Sequence, residues 1–181
     1  MKKFELTNEF ITNMFGTKLF RIRALVEFGD VEAGELGGYV EKESNLGHDD
    51  NAWVYDNAWV YGDAQVSGNA RVYDNALVYD NAWVYGNALV CGDARVCGNG
   101  DYAYAHGFGS VNRTTTFFRL KDGGVGVRCG CFYGTLAQFR DKIRETHGET
   151  KKAQEYLMLA DLMELRFEED ENEVGNRKYV E

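Results

Sequence analysis

From Asn51 to Gly98 the chain repeats every six residues: NAWVYD, NAWVYG, DAQVSG, NARVYD, NALVYD, NAWVYG, NALVCG, DARVCG. The first place is always Asn or Asp, the second Ala, the fourth Val and the sixth Gly or Asp. An internal repeat this regular dictates the architecture before any other feature does. Six is not a helical period, and Asn, Asp, Gly and Val are poor helix formers. The period suits a β-solenoid, in which a strand of about three residues alternates with a corner. Val54, Val60, Val66, Val72, Val78, Val84, Val90 and Val96 then point inward at the strand centres. Ala52 and its equivalents fill the tighter space beside each corner. Asn, Asp and Gly supply the left-handed backbone that corners need, and stacked Asn side chains can bond along the axis.

Read from each Val, the string is V-x-[GD]-[ND]-A-x. This resembles the hexapeptide repeat of left-handed β-helices, in which three hexads make one triangular coil of about 18 residues. The place after the aliphatic residue, often small in that family, is usually Tyr here. The resemblance implies a mainly β fold, a left-handed β-helix of roughly three to four coils. In a three-sided coil the residues flanking each Val face outward. One wall carries Trp53 and Tyr55, then Arg71 and Tyr73, then Leu89 and Cys91. The next carries Trp59 and Tyr61, Leu77 and Tyr79, Arg95 and Cys97; the third carries Gln65 and Ser67, then Trp83 and Tyr85. A monomer rarely exposes that much aromatic surface. The termini, a second copy or a partner protein must cover it, and Trp, Tyr and Arg are the usual anchors of protein contacts.

The flanks divide the chain into an N-terminal β cap (1–44), the solenoid (45–110), a small ββαα unit (111–167) and an acidic tail (168–181). In KLFRIRALVEF, Phe20, Ile22, Ala24 and Val26 alternate with other residues, the pattern of a half-buried strand. Gly34, Gly37 and Gly38 punctuate the approach to the first coil, and the segment is expected to cover its open end. The stretch TTTFFRLKDGGVGVRCGCFYG reads as a hairpin turning at Lys121–Gly124. Thr135 with Gln138 matches a capping box, with Gly148 as the stop. A second helix over 150–166 should bury Tyr156, Leu157, Ala160, Leu162 and Met163.

Net charge is −9, from 20 Lys+Arg against 29 Asp+Glu, which suits direct nucleic-acid binding poorly. Corner aspartates such as Asp56, Asp74 and Asp80 could instead imitate rows of phosphates, although turn chemistry alone selects Asp there. Four cysteines without a leader-like apolar stretch suggest reduced thiols in a cytoplasm, and no run is apolar enough to span a membrane. Cys129 and Cys131 share a strand face, and a fourth zinc ligand is not evident. Side chains of Cys91 and Cys97 should diverge, which disfavours a disulfide. Neither a metal nor a cofactor is expected.

Hexapeptide-repeat proteins include acyltransferases that place a general-base His beside a cleft. Only three His occur, none inside a hexad, and His106 is the best-placed candidate base. Taken with RIRALVEFGDVEAGELGGYVE and VRCGCFYGTLAQF, the hexads resemble phage and prophage β-solenoids with YdcK-like repeats. That resemblance is specific about architecture and not about activity. Small acidic phage proteins are a common source of inhibitors of host defence, so the expected function is a non-catalytic binding module, a homodimer through its aromatic walls and C-terminal helices, that engages and inhibits a host protein such as a CRISPR effector. The expected contacts are Trp53, Tyr55, Trp59, Tyr61, Tyr73, Tyr79, Trp83, Tyr85, Asp56, Asp74 and Asp80. An acyltransferase and a self-assembling structural solenoid remain the alternatives.

Overall fold

The computed structural model describes residues 1–109 and 111–168, so all but the first residue of the expected acidic tail lies outside the described residues. Three strands open the chain: β1 (Phe4–Thr12), β2 (Lys18–Ala24) and β3 (Leu36–Val40). The hexads follow as eight two-residue strands: β4 (Trp53–Val54), β5 (Trp59–Val60), β6 (Gln65–Val66), β7 (Arg71–Val72), β8 (Leu77–Val78), β9 (Trp83–Val84), β10 (Leu89–Val90) and β11 (Arg95–Val96). Four longer strands and two helices complete it: β12 (Tyr102–Phe108), β13 (Arg113–Arg119), β14 (Val125–Cys129), β15 (Phe132–Thr135), α1 (Leu136–His147) and α2 (Lys151–Phe167).

The hexads stack as a three-walled β-solenoid of about three coils. Trp53 pairs with Arg71 and Arg71 with Leu89; Trp59 pairs with Leu77 and Leu77 with Arg95; Gln65 pairs with Trp83. These are the columns expected from the repeat. All eight repeat valines and all eight repeat alanines have 0% exposure, so the interior is a dry column of paired small and branched side chains. The sixth place of the hexad turns the corner with positive φ: Asp56 (52°), Gly62 (69°), Gly68 (67°), Asp74 (60°), Asp80 (55°), Gly86 (68°) and Gly92 (64°). The Asn ladder is present as well, Asn51 Nδ2 donating to Asn69 Oδ1 and Asn69 Nδ2 to Asn87 Oδ1, both at 3.2 Å.

Parallel stacking gives the prism polar ends. Trp53 N–H donates to Ala70 O (3.1 Å) and Tyr55 N–H to Val72 O (2.8 Å), so donors point toward the later coils. The first coil is left with bare carbonyls and the last with bare N–H groups, and a buried orphan of either kind is costly. The N-terminal cap answers with donors. Tyr39 N–H reaches Ala58 O (2.9 Å) and Gly47 N–H reaches Val66 O (2.8 Å). The side chains of Lys3 and Asn45 reach Ala52 O and Ala64 O, both at 2.8 Å. The C-terminal end answers with acceptors: Asn99 Oδ1 for Trp83 N–H (2.8 Å), Thr116 Oγ1 for Leu89 N–H (3.0 Å) and Asp101 Oδ2 for Cys97 N–H (3.0 Å).

Strand β3 joins the wall β5–β8–β11 in parallel, and β2 and β1 extend that sheet antiparallel. Gly37 and Gly38 allow β3 to lie this close: a Cβ on Gly37 would stand 2.5 Å from Val54 O, and one on Gly38 2.6 Å from Ala58 O. The alternation expected in β2 holds at Ile22 and Ala24 and breaks at Phe20. Leu19, Ile22 and Ala24 are buried while Phe20 is half-buried, because the register with β3 shifts between Arg21 and Arg23. Strand β1 had no clear signal in the sequence.

The C-terminal unit is larger than expected. The hexad phase does not continue past Gly98; β12 turns antiparallel and heads a four-stranded sheet β12–β13–β14–β15, which makes the unit ββββαα with its first strand at Tyr102. One sheet face, with Tyr102 and Phe118, closes the solenoid core. The other, with Phe117, Val127 and Cys129, packs on Phe139 and Ile143 of α1 and Tyr156, Ala160 and Met163 of α2. The Thr135–Gln138 capping box forms, and Gly148 ends α1. Leu162, expected inside, is 54% exposed, and the buried face of α2 instead runs Ala153, Tyr156, Ala160, Met163, Phe167. Cys129 and Cys131 do not share a face: the strand ends at Cys129, which is buried, and Cys131 sits exposed in the two-residue turn to Phe132.

Candidate binding surface on the aromatic walls

The three walls differ in what lies over them. On the first, Trp53 is not available for a partner: it is 0% exposed, held edge-on by Phe4 (6.2 Å) and Phe28 (5.3 Å) of the N-terminal cap. Tyr55 donates to Asp30 Oδ1 (3.3 Å), the same carboxylate that pairs with Arg71 (2.8 Å). Burial pushes the Tyr55 phenol up to about 12. Further along, the Arg128 guanidinium lies 5.6 Å from the centre of the Tyr73 ring, and burial raises the Tyr73 phenol too. The Cys91 thiol is raised to about 11 by burial, which leaves it protonated and inert at neutral pH.

On the second wall Tyr61 and Tyr79 stack with centroids 5.3 Å apart and planes 10° from parallel. Both are buried and pack with Leu19, Tyr39 and Ile11 of the N-terminal sheet, so they too are covered by the chain itself. Trp59 is half-buried and lines a groove of about 330 Å³ with Leu77 and Arg95. Met14 and Phe15, in the β1–β2 turn, also line this groove and are each 67% exposed.

The third wall is open. Trp83 is 51% and Tyr85 47% exposed, with ring centroids 5.4 Å apart. Trp83 Nε1 donates to Ser67 Oγ (3.1 Å), and Tyr102 donates its hydroxyl to Trp83 O (2.7 Å), which fixes the pair against the coil. Tyr85 meets Tyr102 at 6.5 Å and Tyr104 at 6.3 Å, both nearly perpendicular. Together with Asn99 and Arg166 these rings line an open groove of about 720 Å³. Below it Gly86 turns the corner at φ 68°, and a Cβ there would make the Tyr104 hydroxyl shift. Tyr104, Asn99 and Arg166 were missed in the sequence; the alternation Tyr102-Ala-Tyr104-Ala was the available signal, hidden by the expectation that the hexads continued.

The corner aspartates Asp56, Asp74 and Asp80 are exposed. Asp56 and Asp74 join successive corners: Asp56 Oδ2 accepts from Asp74 N–H (3.3 Å) and Asp74 Oδ2 from Gly92 N–H (3.0 Å). His106 stands exposed on β12 with Nδ1 2.9 Å from Thr114 Oγ1, and it lines neither groove. Among the described residues no group of three or more His, Cys, Asp or Glu side chains is placed to hold a metal, and no helix is long and apolar enough to cross a membrane.

The YdcK beta solenoid repeat family matches the chain at residues 52–68, 64–80 and 70–86. These matches fall on the first and second coils and leave both flanking units outside. No curated protein matches the chain.

Proposed function

We propose that the chain works by binding another protein, with Trp83, Tyr85 and Tyr104 as the contact surface. The carrying observation is the contrast between walls: Trp53, Tyr61 and Tyr79 are covered by the chain's own termini, while Trp83 and Tyr85 are left about half exposed. A rigid aromatic pair on a repeat scaffold offers contact area with little ordering cost. The acidic charge of −9 and the resemblance to phage-type solenoids favour a protein of a bacterial host as partner, in the host cytoplasm, with inhibition of a defence protein as the outcome. Two alternatives have less support. An acyltransferase would need a base beside a cleft, and His106 lines neither groove. End-to-end assembly would need bare coil ends, and those ends are closed by Lys3 and Asn45 on one side and Asn99, Thr116 and Asp101 on the other.

The test is affinity capture from a bacterial extract with the native chain and with Trp83→Ala/Tyr85→Ala, whose fold is checked by circular dichroism. A protein held by the native chain and lost from the variant supports the reading. Equal capture by both, or acyl-CoA binding with no capture, overturns it.

A further inference from the structure

Helix α2 is apolar on two opposite faces. Ala153, Tyr156, Ala160, Met163 and Phe167 lie against the sheet. About half a turn away at the α-helical repeat, Met158, Leu162 and Leu165 are 70%, 54% and 67% exposed. Their spacings of four and three are those of a coiled-coil seam. Nothing in the fold requires large apolar residues there, and solvent-facing helix positions ordinarily carry charge.

The flanks of this seam are charged in a self-complementary way. Asp161 lies on one flank, 70% exposed at its side chain while its Oδ1 accepts from Arg140 of α1 (2.8 Å), and Arg166 lies exposed on the other, with Nη2 reaching Asn99 O (3.4 Å). When two copies of such a helix run side by side in parallel, residues at these two flanking positions, five apart in sequence, face each other across the seam. Each Asp161 then meets the other copy's Arg166, twice about the twofold axis, as a closed isologous contact requires. An antiparallel pair centred on Leu162 brings no such match. We propose that α2 is a self-association helix, pairing in parallel with α2 of a second copy of this chain through Met158, Leu162 and Leu165. The contact is small, so the dimer is a weak one that forms at micromolar concentration. Arg166 also lines the aromatic groove, but Met158, Leu162 and Leu165 do not, so Leu162→Glu tests this proposal apart from that reading.

Sedimentation velocity of the full chain across a concentration series tests this. The native protein should pass from monomer to dimer, and Leu162→Glu, at a position outside the core cluster, should weaken the dimer about tenfold or more. Asp161→Arg and Arg166→Asp should each weaken it, and the double exchange should restore it. With Cys131→Ser to remove the exposed thiol, Met158→Cys should form a disulfide between copies under mild oxidation. A native chain that stays monomeric throughout, a dimer indifferent to Leu162→Glu, or charge reversals that fail to compensate would each overturn the proposal.

Discussion

The Asp74 carboxylate accepts the backbone N–H of Gly92, one coil along the axis, at 3.0 Å. The corner aspartate therefore has two structural duties: it accepts a corner N–H that faces back toward the earlier coil, against the direction of the strand ladder, and it adopts the φ of 60° that turns the chain. Asp74→Ala removes the acceptor and puts an ordinary L-residue in the left-handed region, and should cost about 2–3 kcal/mol. Asp74→Gly keeps the turn and loses only the bond, so its cost should be about half. Urea denaturation of the two variants separates the terms; equal losses would show that the backbone has no share.

The approach of β3 to the first coil makes a sharper demand. Gly37→Ala would drive a Cβ to 2.5 Å from Val54 O and 2.7 Å from Ile22 Cγ1. The strand must lift from the coil, and the loss should exceed about 2 kcal/mol. Gly100→Ala meets nothing within 4 Å and has no positive φ, so thermal denaturation should find it close to neutral.

Two kinds of buried group set the alkaline response. Burial lowers the Lys3 ammonium from 10.5 to about 8. Between those values the unfolded chain holds the proton and the folded one releases it, so this group adds stability as pH rises through that window. The tyrosines act the other way. Burial raises Tyr55, Tyr61 and Tyr102 from 10.0 to about 12, and Tyr73 and Tyr79 further still. A raised phenol contributes stability below pH 10 that is lost as pH climbs through the folded value. Urea midpoints should therefore rise modestly above pH 8 and fall steeply beyond about pH 10, with these five phenols ionising together with loss of structure. Ionisation of these five near pH 10 in the intact fold, followed by ring resonances in NMR spectra, would contradict this.

The sequence carried the prism almost entirely, because each hexad repeats the same local requirements: Val for the interior, Ala beside the corner, Asp or Gly for positive φ. Columns such as Trp53–Arg71–Leu89 then followed from three hexads per coil. Which walls stay open was not legible. It depends on non-local contacts such as Phe28 on Trp53, and on a register shift in β2 that no periodicity announces. The extent of the C-terminal sheet was hidden for a related reason. Residues 99–108 still contain Gly and alternating Ala, and the buried Asp101 that ends the solenoid reads locally like another corner.

The termini cover the first two walls and leave the third open. Three single-tryptophan variants, each with the other two tryptophans changed to Phe, test it by acrylamide quenching. Trp83 should be quenched readily, Trp59 partly and Trp53 barely, in line with their exposed, half-buried and fully buried positions. Quenching of Trp53 as efficient as that of Trp83 would contradict it.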